Sequence, residues 1–247
     1  MEVFLNQYDA LLINTTWVET FAAFAPHDKP QYGALLINAT LETLYMTVVS
    51  TLFSYLLGVP LGVALSVTKK DGIASSPAFN YAAGWIVNIL RSVPFVILMV
   101  FIVPFTRLIA GTSIGPNAAN IPLIIAATPF VARIVEQSIE EVDRGLIEAA
   151  KCMGASNFQI ITKVMLVESK PSLIRGLSIS SITILSYTAI TGIIGAGGLG
   201  NIAITYGYQR YIESMRYSTV ILLIILVVLI QWLCNIWAFK ADKRNRN

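Results

Sequence analysis

The chain has 247 residues and a net charge of +3, and 55% of its residues are hydrophobic whereas only 13% are charged. Soluble domains carry about 25% charged residues, so this composition indicates an integral membrane protein. No basic cluster is interleaved with aromatic residues, which argues against a nucleic-acid partner. The two cysteines, Cys152 and Cys234, lie far apart without metal-ligand spacing and are interpreted as free thiols.

Residues 1–33 are predicted to form an N-terminal extension outside the cell, and residues 34–247 are predicted to form the transmembrane domain. Polar residues interrupt each apolar run of the extension, which is typical of an amphipathic helix on the membrane surface rather than of a span. No basic residue precedes its apolar part, so the pattern is not that of a secretory signal. The single histidine, His27, lies in this extension, and the sequence predicts no catalytic site.

Five segments are long and apolar enough to cross a bilayer, which takes about 20 residues as a helix. They are residues 41–67, 81–103, 118–135, 173–194 and 217–239. The last segment contains the uninterrupted apolar run ILLIILVVLI and is expected to face lipid over much of its surface. The other four contain Gly, Ser, Thr and Pro, as helices inside a bundle do. The predicted fold class is therefore an all-α integral membrane protein with five transmembrane helices.

Lysine and arginine residues are distributed unevenly between the two sides of this topology. Twelve lie on the side that holds the connection after the first span, residues 142–171 and the tail, four lie on the other side, and Arg91 completes the 17. Because cytoplasmic loops carry the excess of Lys and Arg, we expect the C-terminus in the cytoplasm and the N-terminus outside.

Charged residues inside the predicted spans are few. Arg91 lies within the second apolar run and is a functional candidate, because an arginine in a span is costly unless it pairs or snorkels. The interpretation that we favour is that the helix begins near Pro94 and that Arg91 lies at the cytoplasmic interface. The acidic residues Glu42, Glu136 and Glu168 lie at or near span ends, which argues against an ion-coupled carrier.

The longest polar stretch between the apolar runs, residues 142–171, is predicted to form two short helices joined by a turn. One face of the first helix carries residues at helical spacing: Leu146, Ile147, Ala150 and Met153. Gly154 is expected to end this helix, and Ser156 with Gln159 forms a capping box that begins the second. The segment is interpreted either as an element on which another protein docks or as an ordinary helix on the membrane surface.

A family resemblance favours the first alternative. Glu148-Ala149-Ala150 followed by Gly154 resembles the E-A-A-x-x-x-G signature of ABC importer permeases, where the segment is a cytoplasmic coupling helix seated in a cleft of the ATPase subunit. The resemblance extends from about residue 41 to the end of the chain and is strongest to the permeases of methionine importers. It is carried further by residues 42–44, 58–62, 88–95, 104–107 and 111–115. Where the family pattern has Leu-Pro, this chain has Leu166-Val167.

The resemblance implies a fold like that of type I ABC importers and a role in transport rather than in catalysis. Two copies of the chain would form a homodimer, two ATP-binding subunits would dock on the coupling helices, and an extracytoplasmic lipoprotein would deliver a methionine-like substrate. The chain has no phosphate loop, so ATP hydrolysis belongs to the separate subunits. No cofactor is expected. The fourth span resembles the gate of such permeases, with Tyr187, Ile190 and Thr191 along the path and Ile190 as an apolar plug.

Residues 195–200, with glycines at Gly195, Gly197, Gly198 and Gly200, match the pattern G-x-G-x-x-G. A dinucleotide site needs these glycines between a strand and a helix, whereas here they follow a long apolar helix. We therefore predict a tightly bent external segment that returns toward the bundle and lines the exit of the translocation path.

Two alternatives to methionine import remain open at this stage. The first is a permease for another amino acid or small solute, because specificity in this family lies largely in the binding protein. The second is a secondary carrier or channel that works without an ATPase, in which case no docking helix would be needed at Glu148 and Gly154.

Overall fold

A computed structural model of the chain describes residues 31–241, and within that range it consists of helices and connecting turns without a strand. The predicted N-terminal extension, residues 1–33, therefore lies almost entirely outside the described residues. The fold agrees with the predicted all-α class. By length and composition, four of the described helices are able to cross a membrane, or five when one bent pair is included.

Helix α1 (Gln31–Val67) begins ten residues before the predicted start of the first span. Its added N-terminal turns are held by packing, because Leu36 and Ala39 are buried against Leu199 and Met215 from the far end of the chain. At about 1.5 Å per residue, its 37 residues extend beyond the roughly 30 Å of the hydrocarbon core. From the sequence alone the start was placed later, because residues 31–40 are less apolar than those that follow. Several of these residues are nevertheless buried in the structure.

The second predicted span is not one straight helix. It is divided into α2 (Pro77–Ser92), α3 (Phe95–Phe101) and α4 (Val103–Ala110), and α2 and α3 meet at an angle of 100°. The break lies at Val93, whose backbone is extended, because the ring of Pro94 disfavours a helical residue before it. As predicted, a helix begins near Pro94, which is the N-cap of α3, and Arg91 lies before it, in the last turn of α2. The position of Arg91 at the cytoplasmic interface stays a prediction.

The remaining spans follow the prediction closely. They are α5 (Pro116–Glu140), α7 (Lys170–Thr191) and α9 (Glu213–Ala241). A short helix, α6 (Arg144–Cys152), follows α5, and another, α8 (Gly198–Ile202), follows α7. The bundle has two ends, which we call the lysine end, where Lys69 and α6 lie, and the glycine end, where the Gly195–Gly200 segment lies.

Helices α1 and α5 run parallel and form the centre of the bundle. Near the glycine end, the hydroxyl of Ser50 donates to Oδ1 of Asn120 over 3.0 Å. Further along, Gly58 has no room for a side chain, because a Cβ atom would lie 2.7 Å from Cγ1 of Val131. One turn later, a Cβ atom on Gly62 would collide with the carbonyl oxygen of Ala132. Glycines at these two positions therefore permit the close approach that packing in lipid requires.

Candidate functional site

The predicted docking segment has the capping that its sequence indicates. Oδ1 of Asp143 accepts a hydrogen bond of 2.6 Å from the amide of Gly145 and begins α6. The helix ends at Cys152, two residues before Gly154, which breaks it as predicted with a φ of +79°. The amides of Gly154 and the following residue return to carbonyl groups of the last turn, as in a Schellman motif. The capping box of Ser156 and Gln159 is also present.

Helix α6 exposes Glu148 and Ala149 at the lysine end, whereas Ala150 is buried. The predicted apolar face is formed only in part. Ala150 is buried and Ile147 is half-buried, but Leu146 is exposed. Met153 is 81% exposed because the helix ends at Cys152, so that the Met153 side chain leaves the predicted face. An exposed methionine beside an exposed carboxylate is an apolar and charged surface suited to a protein partner.

The buried side of the segment fixes it to the transmembrane helices. Ala150, Ile160 and Met165 pack in one cluster with Val135 and Ile139 of α5. The chain between Ile160 and Met165 is a π-helix and continues as an α-helix from Leu166 to Glu168. The backbone is thus helical at Leu166-Val167, where the family pattern has Leu-Pro, and the amide of Leu166 donates to the carbonyl of Ile161.

A buried ion-pair network joins three helices next to this segment. Glu136 of α5 is only 3% exposed. Its carboxylate accepts from Nζ of Lys69 at 3.0 Å and from Arg133 at 2.6 Å. Arg133 also donates to Oδ1 of Asn88 on α2, and Lys69 pairs in addition with Glu140. The network therefore connects the ends of α1 and α5 to α2, next to the docking segment.

A cavity of about 520 Å³ separates the docking segment from the ends of α7 and α9. Its wall includes Asp143 and Leu146 on one side and Arg175 and Ala241 on the other. The segment is therefore anchored to α5 on one side and spaced from the last helix on the other.

The glycine segment returns to the bundle as predicted. Gly195, Gly197 and Gly198 have positive φ angles, and Gly197 is the residue before the first turn of α8. The carboxylate of Glu42 accepts a hydrogen bond of 2.7 Å from the amide of Gly198. A Cβ atom on Gly197 would collide with that carboxylate. The segment is thus fixed to α1, and its role along a translocation path stays a prediction.

The neighbouring turn of α8 is fixed in the same way. The amide of Leu199 donates to the hydroxyl of Thr43 over 2.9 Å. Gly200 lies against the backbone of Ala189 so closely that a Cβ atom could not be placed there. The end of α7 is therefore packed directly on the returning segment.

The predicted gate residues occupy different environments at the end of α7. Tyr187 is half-buried, and its ring stacks on Phe95 with centroids 4.3 Å apart and an angle of 8° between planes. Ile190 packs against the same cluster, which contains Met46 and Leu123. Thr191 is fully buried, and its hydroxyl donates to the carbonyl of Thr188 rather than to an open space. Their roles in gating stay predictions.

Three contacts of this site were not anticipated from the sequence. They are the stacking of Phe95 on Tyr187, the bond from Gly198 to Glu42 and the network around Glu136. The bond to Glu42 joins residues 156 positions apart, so that no local pattern reveals it. A signal did exist for Glu136, because Arg133 precedes it by one helical turn in an otherwise apolar run. Within residues 31–241, no group of side chains is arranged to hold a metal ion.

This arrangement agrees with one class of protein: the membrane-spanning component of a transport system, here with an exposed helical segment at one end of the bundle. Its family model confirms the class. The chain belongs to the family described as "Binding-protein-dependent transport system inner membrane component", whose model matches residues 55–247. It is thus a multi-pass protein of the inner membrane.

Named relatives are similar over most of their length. The chain is 47% identical over 210 residues to the probable D-methionine transport system permease protein MetI of Vibrio cholerae, covering 85% of this chain and 93% of that protein. It is 44% identical to the methionine import system permease protein MetP of Bacillus subtilis, covering 85% and 94% of the two chains.

Solved structures agree with the fold. The inward-facing MetNI methionine ABC transporter matches with a TM-score of 0.84 and 44% identity, covering 85% of this chain and 97% of that one. An amino acid ABC transporter crystallised with histidines matches with a TM-score of 0.71 at 19% identity, which supports the fold alone. The type I importer architecture is therefore the architecture of this chain.

Proposed function

We propose that the chain is the permease subunit of an ATP-driven importer and that two copies of it carry methionine across the cell membrane. The observation that carries this proposal is the docking segment, in which Glu148 and Ala149 are exposed while Ala150 is buried against α5. A segment that only covered the membrane surface would not need a rigid apolar anchor on its inner side. The named relatives, at 44–47% identity, support methionine as the substrate.

The lysine end is proposed to face the cytoplasm. It carries Lys69 and Lys70 after α1 and Arg144 and Lys151 on the docking segment, in agreement with the positive-inside rule. The described chain begins at the glycine end and finishes at the lysine end. This orientation puts the N-terminus outside, the C-terminus inside, and the docking segment within reach of an ATPase.

The proposed assembly contains two permease chains, two ATP-binding subunits and an extracytoplasmic binding lipoprotein. Each ATP-binding subunit binds the exposed surface at one α6 and contacts Glu148 and Met153. Because Ala150 and Met165 pack on α5, displacement of α6 by the ATPase moves the end of α5 with it. At the glycine end, Tyr187 and Ile190 pack with Phe95 and Met99. We expect Tyr187 and Ile190 to form the gate that opens when α5 moves.

The proposal is tested by uptake of labelled methionine into vesicles that contain the permease, its candidate ATPase and its candidate binding lipoprotein. Each component, and ATP, is omitted in turn. Uptake that requires ATP and all three components supports the proposal. Uptake by the chain alone, driven by an ion gradient, contradicts it and favours the secondary carrier. ATP-dependent uptake of a different amino acid, without methionine uptake, retains the importer and rejects the substrate.

A further inference from the structure

The structure leaves one guanidinium without a partner on the inner side of the bundle. Arg91 makes no hydrogen bond, ion pair or ring contact with any other residue in the described range, residues 31–241. An arginine in a membrane-spanning segment is costly when its charge is not paired. Its environment therefore points to a group that binds there.

Arg91 lies on the face of α2 that is turned toward the bundle. Asn80, Gly84, Val87 and Arg91 are separated by four, three and four residues, so that they share one face. Val87 is 2% exposed, and the carbonyl of Gly84 accepts from Arg133 of α5. Arg91 nevertheless is exposed, because the chain turns away at Val93 immediately after it.

Arg91 lies about one helical turn beyond Asn88, whose side chain is bonded to Arg133 of the Glu136 network. The amide of Asn80 donates to the carbonyl of Leu65 and to the hydroxyl of Thr68, near the end of α1. Arg91 follows Asn80 by eleven residues, which is about 16 Å along a helix and close to half the thickness of a hydrocarbon core of about 30 Å. A side chain that extends by about one helical turn, roughly 5 Å, does not reach the headgroups from there.

None of the acidic residues in the described range forms an ion pair with Arg91. Within residues 31–241 all acidic residues lie near the two ends of the bundle: Glu42 and Glu213 at the glycine end, and Asp71, Glu136, Glu140, Glu141, Asp143, Glu148 and Glu168 at the lysine end. In a symmetric dimer with its axis across the membrane, a second copy brings the same acids at the same depths. Within residues 31–241, therefore, no carboxylate of the protein balances the charge of Arg91.

We infer that Arg91 is a binding residue for the carboxylate of the transported amino acid as it passes through the permease. The planar guanidinium donates two parallel hydrogen bonds to a carboxylate, which a lysine ammonium does not reproduce. Four residues further on, Phe95 stacks on Tyr187, so that the site lies beside the proposed gate. This inference rests on the proposed import of an amino acid.

A different role for Arg91 gives a different result on substitution. Arg91 is in the last turn of α2, where any cation is favourable next to the partial negative charge of the helix C-terminus. Lysine fulfils that role as well as arginine does. Lysine and arginine at this position therefore give different results only if the site requires the two parallel hydrogen bonds of a guanidinium.

The test compares wild type with Arg91→Gln and Arg91→Lys in the complex of permease and ATPase, without the binding protein. Binding of labelled methionine and of methioninamide, which lacks the carboxylate, is measured by equilibrium dialysis. Wild type is expected to bind methionine at least about tenfold more tightly than methioninamide. Arg91→Gln is expected to lose this preference, and Arg91→Lys to lose most of it. Arg107→Gln, which removes a charge from the last turn of α4, is the matched control.

Assembly is checked by copurification of the ATPase, and uptake is measured with the complete system in vesicles of neutral lipid and of anionic lipid. An unchanged preference in Arg91→Gln overturns the inference, as does full recovery by Arg91→Lys. A variant that keeps the preference but no longer responds to anionic lipid shows a lipid phosphate as the occupant, which also overturns it. If wild type shows no ATP-driven methionine uptake, the proposed function is contradicted instead. This outcome is distinguishable from a failure of the inference about Arg91.

Discussion

Replacing Glu136 by glutamine is expected to destabilise the bundle by about 2 kcal/mol. The Glu136 side chain is 4% exposed and accepts from both Lys69 and Arg133. Glutamine keeps the shape and one acceptor but removes the charge, and a charged hydrogen bond contributes about 1 kcal/mol more than a neutral one. One bond is thereby weakened by about 1 kcal/mol. The other is lost where the amide NH2 replaces an oxygen, at a cost of about 1 kcal/mol more, because Lys69 keeps Glu140 as a partner. The cost stays below the 3–5 kcal/mol of a fully broken buried pair because Arg133 also donates to Asn88.

The matched control is Glu140→Gln. Glu140 pairs with the same Lys69, but its side chain is 46% exposed, so that its substitution should cost less than about 1 kcal/mol. Thermal unfolding in detergent is followed by labelling the buried Cys234 in a Cys152→Ser background, where Cys152 no longer reacts. The midpoint should fall clearly for Glu136→Gln and little for Glu140→Gln. Equal shifts in the two variants would refute the assignment of Glu136 as the buried junction of three helices.

Three further substitutions test the docking segment, the glycine segment and the centre of the bundle. Glu148→Lys should abolish copurification of the ATPase and lower ATP-driven uptake at least about tenfold, with an unchanged unfolding midpoint. Glu213→Lys, the same charge reversal at the glycine end, should retain copurification and uptake. Glu42→Ala leaves the amide of Gly198 without its acceptor, and hydrogen exchange of residues 195–202 should become faster; unchanged exchange contradicts the contact. Gly62→Ala should cost about 1–3 kcal/mol through collision with α5, and a midpoint equal to wild type argues against close packing there.

The sequence was sufficient to predict four of the five spans and the docking segment, because each depends on local patterns. Hydropathy determines the spans, and the capping residues Asp143, Gly154 and Ser156 determine where the short helices begin and end. The second span was predicted as one segment because apolar residues predominate over residues 81–103. Pro94 predicts a break in the helix but not its angle of 100°. That angle depends on the packing of Phe95 against Tyr187, which lies 92 positions away.

The same limit applies to the candidate site. Tyr187 and Ile190 were proposed from a family resemblance, and the sequence contains nothing that pairs them with Phe95. Burial also separates residues that periodicity puts together. Met153 has the spacing of Leu146 and Ala150, yet it is exposed, because a helix face is lost where the helix ends. Leu146 lies within the helix and is exposed as well, so helical spacing identifies a face without showing how much of it is covered.

The parallel pairing of α1 and α5 determines how the permease is able to move. Near one end, the hydroxyl of Tyr45 donates to Asn117, and near the other, Lys69 pairs with Glu136. A slide of one helix past the other by a single residue, about 1.5 Å, would break both contacts and press Gly62 into the facing backbone. The two helices thus form a rigid body without internal shear. In the proposed transport cycle we therefore expect α1 and α5 to move together as one unit.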